Sequence, residues 1–530
     1  MSVDRIYLNG TIKTMAGGAG PSPTALWCRD GTFGAVGSAA QVHEQAGRGA
    51  EVIDLAGATV VPGFIETHLH PLMWGLQLSN VDAHAQQCPT IEALVEALAA
   101  RAVSTPIGEP IHASGFDDSL VADDRGLTIA DLDRVSTQHP VEVRHLSEHA
   151  VYVNSVVLAR FGIDAQTPNP VGGEIVRDAN GAPTGELRET PAMSLVYDQS
   201  RPFATDGARP ALTEALQRMA QVGVTSFHDM YVTAEMLTSY RELRDADQLP
   251  LRARLYLGID VLDQVAREPE REDDWYRIGG VKLIADGSIQ LHTAALSAPY
   301  HDLGGCSCGA MVIPTENLVE MVARVHAVGR QVAIHTNGDE AIEQALNAIA
   351  QAQADRPNAG LHHRLEHVQT IREDQLARMA AMDVGASIFV NHVYYWGDRH
   401  RDRFLGPDRA ARISPVASAL AAGLRYALHC DCPVTPVNPL FTIATAVNRR
   451  TRGGAVLGPE QGVSPADALA GYTSAAARVT SEETVKGSIE VGKLADFVVL
   501  GGDPFTCAPE EIAELPVQAT VVGGNEVYRR

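Results

Sequence analysis

Basic residues are the scarcest charge in this chain: Lys and Arg number 42 against 65 Asp and Glu, a formal net charge of −23 spread along the sequence. Nucleic acid and anionic membrane both require a basic face, so neither is an expected partner. No run of about 18 apolar residues occurs, which excludes a membrane-spanning helix. The opening "MSVDRIYLNGTIKTM" has no basic segment followed by an apolar one, so no secretory leader is expected. Seven cysteines in 530 residues is an odd and small number, which argues against a disulfide framework. Aromatics are only 5% of the chain, and internal repeats and low-complexity tracts are missing. Together these absences predict a cytoplasmic protein.

What is present is a 45% hydrophobic composition, enough for a large core. Residues 1–59 read as short strands broken by Gly and Asp, and residues 483–530 have the same character, in "GSIEVGKLADFVVLGG" and "QATVVGGNEVYRR". Two β-rich ends around a long middle predict one small β-sandwich built from both. The middle, 60–482, alternates strand-like and helical runs. Strands are expected at "ATVVPGFIETHLH", 223–230, 251–260, 279–288, 330–339, 362–370, 383–392 and 424–433. Between them, "TENLVEMVARVHAVG" sets Leu318, Val322 and Val325 on one helical face. Eight β/α units with continuous apolar strands predict an α/β fold, a (β/α)₈ TIM barrel. Residues from about 84 to 210 exceed what one connecting helix needs, so they read as an insertion after strand 1 that covers the barrel mouth.

Barrel chemistry sits at the C-terminal ends of the strands. Strand 1 ends in "THLH", where His68 and His70 share a face at i and i+2 and can address one ion. Strand 4 carries Lys282 alone in "GGVKLIADG"; strand 5 ends in His335, strand 6 in His367 and strand 8 in Asp431. Singly, each has an ordinary reading: a rim hydrogen bond, a snorkelling lysine, a capping aspartate. Six such residues in the order HxH, K, H, H, D over eight units are a strong signal. His228 and His392 close strands 2 and 7 and are candidates to face the mouth. "NHVYYWGDRHRDR" gathers Tyr394, Tyr395 and Trp396, a candidate apolar wall, with Met73 and Trp74 similar.

This order resembles the amidohydrolase superfamily over nearly the whole chain. The segments "HAVYVNSVVL", "GVTSFHDM", "VKLIADGS", "AIHTNGD" and "RLEHVQ" resemble its amidohydrolase family 3 branch. The resemblance implies two divalent ions, zinc expected, bridged by a lysine carbamate formed from CO₂. His68, His70 and Asp431 would hold one ion, His335 and His367 the other, and carboxylated Lys282 would link them. Two such ions share and acidify a water, and Asp431 would carry its proton to the leaving amine as general base and then acid. The segment "RHLSEHAVYVNS" resembles a stretch that covers the site, which makes His149 and Asn154 candidates for substrate contact; Glu148 before that histidine departs from the usual pattern. So does "LHCDCPV", where Cys430 and Cys432 flank the aspartate and are expected to point away from the metals. A second C-x-C, Cys306 and Cys308, lies in a glycine-rich loop.

The expected partner is a small-molecule amide, and the expected activity is metal-dependent hydrolysis of a non-peptide C–N bond in a linear N-acyl or N-formyl amine. A cyclic amide, imide or lactone hydrolase on the same scaffold is the alternative, followed by a one-metal decarboxylase and a non-catalytic binding barrel. Barrels of this kind often pair, so a homodimer is left open.

Overall fold

The computed structural model describes residues 4–17, 21–46, 49–196, 207–267, 272–305, 307–358 and 360–530. Eight parallel strands form one sheet in chain order: β1 (Phe64–Leu69), β2 (Val224–Val232), β3 (Arg252–Leu257), β4 (Tyr276–Ile284), β5 (Gln331–Thr336), β6 (Arg364–His367), β7 (Gly385–Ile388) and β8 (Tyr426–Leu428). The sheet rolls into a (β/α)₈ barrel. Its strands are buried along almost their whole length because helices cover the outer face and side chains fill the inner one. The helix Thr315–Ala327 buries the Leu318, Val322 and Val325 stripe against this sheet.

Strand β4 begins at Tyr276, three residues ahead of the expected start at Gly279. Gly280 serves packing there, since a Cβ on it would lie 2.0 Å from the Gln331 carbonyl oxygen of β5. Between β8 and β1 the described residues form no strand ladder. The seam is closed instead just past the strand ends, where Asp431 N–H donates to the His68 carbonyl (3.0 Å) and His70 N–H to the Cys432 carbonyl (2.8 Å).

The chain ends meet in space. Strand Thr59–Pro62 pairs antiparallel with Phe497–Leu500 in a five-stranded sheet, and a four-stranded sheet from the N-terminal region packs on it. Tyr7, Phe33, Phe497 and Val521 share the core between them. Between β1 and β2, a six-stranded sheet runs from Val81–Asp82 to Pro183–Arg188 with its own core around Leu94, Phe116 and Val143. Its loops roof the C-terminal mouth of the barrel.

Candidate metal centre

The six strand-end residues converge on one cavity of about 840 Å³, and all six line it. His68 is buried, with Nδ1 2.6 Å from the Glu366 carboxylate, which is itself ion-paired to Arg364 at 2.6 Å. A carboxylate accepts, so the His68 proton sits on Nδ1 and the Nε2 lone pair faces the cavity. That Nε2 lies 3.0 Å from Lys282 Nζ and 3.5 Å from Asp431 Oδ1. His70 repeats the pattern: Nδ1 bonds the Met230 carbonyl at 2.8 Å, and Nε2 lies 3.4 Å from the same Asp431 oxygen. His335 bonds the Gly287 carbonyl through Nε2 (3.1 Å), which leaves Nδ1 as its free nitrogen. The His367 ring centroid lies 4.6 Å from those of both His68 and His335.

Burial, reinforced by neighbouring cations and imidazoles, pushes His68, His335 and His367 well below the ordinary histidine range, so they stand neutral, the form that ligates metal. Burial also brings the Lys282 ammonium down to about 8, with Glu366 and Asp431 opposing it. His367 and Asp431 have φ of +69° and +54°, left-handed backbone that turns each side chain into the mouth at a cost of about 1–3 kcal/mol. Asp431 Oδ1 is buried and has no hydrogen-bond partner. The carboxylate oxygen and both imidazole lone pairs converge with only the Lys282 ammonium against the His68 nitrogen, and this set of one oxygen and two nitrogen donors fits a divalent ion.

Several supporting groups escape sequence reading. Glu366 and Arg364 precede His367 on strand 6, yet their roles depend on β1, whose His68 lies 298 residues from Glu366 along the chain. His429 Nε2 stands 3.1 Å from His367 Nδ1. Glu189, from the insertion, bonds His149 Nδ1 at 2.7 Å and donates its own N–H to the His149 carbonyl at 2.7 Å. His149 thereby lines the cavity with its ring 5.0 Å from that of His335.

The other candidates for substrate contact lie outside the cavity wall. Asn154 caps the helix Ser155–Phe161, accepting from Val157 N–H and donating to the Ser136 and His139 carbonyls. His228 is buried beneath the mouth, 3.1 Å from an Arg364 nitrogen. His392 bonds His400 (3.1 Å), and Trp396 donates to Asp117 of the insertion (2.8 Å), tying barrel to roof. Cys430 and Cys432 are buried in the apolar cluster behind β1, with Leu69 and Leu72. Cys306 lies outside the described residues. Met73 lines the cavity, whereas Trp74 packs behind it. Glu148 is held by Arg144 (3.0 Å) and Gln77 (2.9 Å) at the rim.

A parallel eight-stranded barrel with neutral imidazoles and an unpartnered carboxylate at its C-terminal mouth defines a metal-dependent hydrolase. Residues 51–528 match the amidohydrolase family, and the chain belongs to it, a family of hydrolases acting on carbon–nitrogen bonds. It is 31% identical to an N-substituted formamide deformylase of Arthrobacter pascens, over 99% of this chain and 98% of that one. It is 30% identical to YtcJ of Bacillus subtilis (strain 168), over 99% of both. Among solved structures it is similar to an uncharacterised metal-dependent hydrolase from Pyrococcus horikoshii OT3, with a TM-score of 0.76, 25% identity, and coverage of 96% of this chain and 99% of that one. No helix among the described residues is long and apolar enough to cross a membrane.

Proposed function

We propose that this protein hydrolyses the amide bond of a neutral, linear N-acyl or N-formyl amine with an apolar substituent. His68, His70 and Asp431 would hold one divalent ion and His335 and His367 a second, with zinc the expected metal and Lys282, as its carbamate, between them. The observation that carries this reading is the unpartnered Asp431 Oδ1, 3.4–3.5 Å from the Nε2 atoms of His70 and His68. Lys282 supports it: an ammonium there would repel two cations, while burial favours the neutral amine, the form that adds CO₂. The ions, when bound, supply Lewis acidity and lower the pKa of water.

The chain's own groups do the rest. Asp431, at the mouth, takes the proton of the attacking water and returns it to the departing nitrogen. Hydrolysis of an amide uses that return most, because an amine leaves poorly without a proton. His149, held by Glu189, faces the cavity through its other nitrogen and is placed to orient the carbonyl or the amine. Four of the eleven methionines, Met73, Met193, Met230 and Met236, line the cavity with Leu76 and Val196, and the rim cation Arg144 is already paired with Glu148. Adaptable thioethers and aliphatic side chains favour an apolar substituent.

The test is a substrate panel on zinc-loaded protein. Release of amine from N-formyl or N-acetyl derivatives of apolar amines, exceeding turnover of cyclic amides, imides and lactones, supports the reading. Preference for a ring substrate moves it to the cyclic alternative. Metal analysis accompanies the panel: about two ions per chain are expected, and one would favour mononuclear chemistry.

A further inference from the structure

His367 is bonded through Nδ1 to His429 Nε2 at 3.1 Å, with an Asp431 carboxylate oxygen further off at 3.7 Å. His429 Nδ1 in turn lies 2.9 Å from Ser387 Oγ, Ser387 Oγ 2.9 Å from Thr67 Oγ1, and Thr67 Oγ1 3.3 Å from the Leu428 carbonyl oxygen. His429, Ser387 and Thr67 are fully buried. The four side chains come from β6, the segment after β8, β7 and β1, so the chain of bonds crosses the seam that has no strand ladder.

A carbonyl can only accept, and that fixes the direction of the whole series. Thr67 spends its hydroxyl proton on Leu428 O and accepts from Ser387. Ser387 spends its proton on Thr67 and accepts from His429 Nδ1–H. With both rings neutral, His429 Nε2 then carries a lone pair and accepts from His367 Nδ1–H. The His367 lone pair is left on Nε2. Reversing any one bond leaves two donors or two acceptors facing each other in a site without water access, or leaves the Thr67 hydroxyl turned from its carbonyl.

We propose that His429, Ser387 and Thr67 are positioning residues that lock the tautomer and ring orientation of His367, so that Nε2 is the atom offered to an ion. This rests on the reading of His367 as a ligand. The rival role for His429 is ligation itself, since its donor atom and those of His68 and His367 lie within 4.8 Å of one another.

The test measures zinc stoichiometry by mass spectrometry, zinc affinity by chelator competition, and the visible spectrum of cobalt-loaded protein, for wild type and three variants. Ser387→Ala should weaken one of the two ions by about 10–100-fold, with the other unchanged. His429→Phe should do the same or more, and His429→Gln, whose amide oxygen can still accept from Nδ1–H, should recover most of the loss. The cobalt bands should shift in Ser387→Ala although no ligand is altered. Wild-type affinity and spectrum in Ser387→Ala overturn the proposal. So does loss of an ion in His429→Gln equal to that in His429→Phe, which would make His429 a ligand. If wild-type protein takes up no divalent ion at all, the ligand reading itself has failed. Should His429→Phe not fold, Ser387→Ala, which removes one oxygen, decides alone.

Discussion

Among the described residues, two clusters of three bring imidazole and carboxylate donor atoms within 4.8 Å of one another: the barrel mouth, at His68, His70 and Asp431, and the insertion, at Asp117, Asp118 and His145. By composition and spacing both could hold a cation. Their rear hydrogen bonds separate them. At the mouth the rear partners are acceptors, the Glu366 carboxylate and the Met230 carbonyl, so the protons are drawn back and lone pairs face the front. In the insertion the rear partner includes a donor, the Ser147 N–H, 3.0 Å from His145 Nδ1. The His145 proton is therefore on Nε2, which faces Asp118 Oδ1 at 3.3 Å. Asp117 is also engaged, accepting from Ser119 and from Trp396. The mouth turns lone pairs toward its carboxylate; the insertion turns the His145 proton toward its own. Proximity nominates a metal site, and the polarity of the bonds behind it decides.

The largest effect should separate these two clusters outright. Asp431→Asn is expected to lower turnover by about 10²–10⁴-fold, and His68→Ala to remove it, with circular dichroism unchanged; Asp118→Asn should leave kcat near wild type. Retained turnover in both mouth variants refutes the ligand assignment. Next comes the rear support. Glu366→Gln keeps the shape but removes the charged acceptor of His68, and zinc affinity measured against a chelator should fall by about 10–100-fold. An unchanged affinity would mean that the Glu366 contact does not set the tautomer. His145→Ala should cost about 1–3 kcal/mol of unfolding free energy through the group left unpaired, with zinc content unchanged; a lost ion would reverse the comparison.

The smallest effect concerns two buried imidazoles that belong to neither cluster. Burial brings His363 and His400 down to about 3 from an ordinary 6.5. The unfolded chain then binds more protons than the folded one between these values. Stability is complete above pH 6.5 and is lost as pH falls toward 3, by up to about 1.4 kcal/mol per pH unit for each such group. Urea midpoints at pH 7 and pH 5 should show the drop, and His363→Asn should shrink it; a pH-independent midpoint would contradict these depressed values.

The comparison also marks how far the sequence could be read. The barrel was legible because its strands are continuous apolar runs and its helices carry stripes such as Leu318–Val322–Val325. The convergence of His68, His335, His367 and Asp431 was legible because a barrel forces strand ends together. The partners behind them were not. Glu366 meets His68 and Ser387 meets Thr67 across separations of 298 and 320 residues, and which atom donates is a property of three-dimensional neighbours alone. Asn154 shows the reverse case, a local signal available but outweighed. "NSVVLARF" is a helix start with Asn at the cap, and that is the place it takes. Trp396 belongs to a cluster whose meaning depended on Asp117, 279 residues away.

The seam between β8 and β1 carries a final consequence. The last stitch of the barrel is made by the backbone of His68, His70 and Asp431, the residues whose side chains form the proposed grip. Seven joints of the ring are knitted by strand ladders; among the described residues this one has none, and the Thr67 hydroxyl on the Leu428 carbonyl adds to the backbone stitch. Architecture and chemistry thus meet in one stretch of backbone, where the main chain fastens the hoop and the side chains are left free to grip.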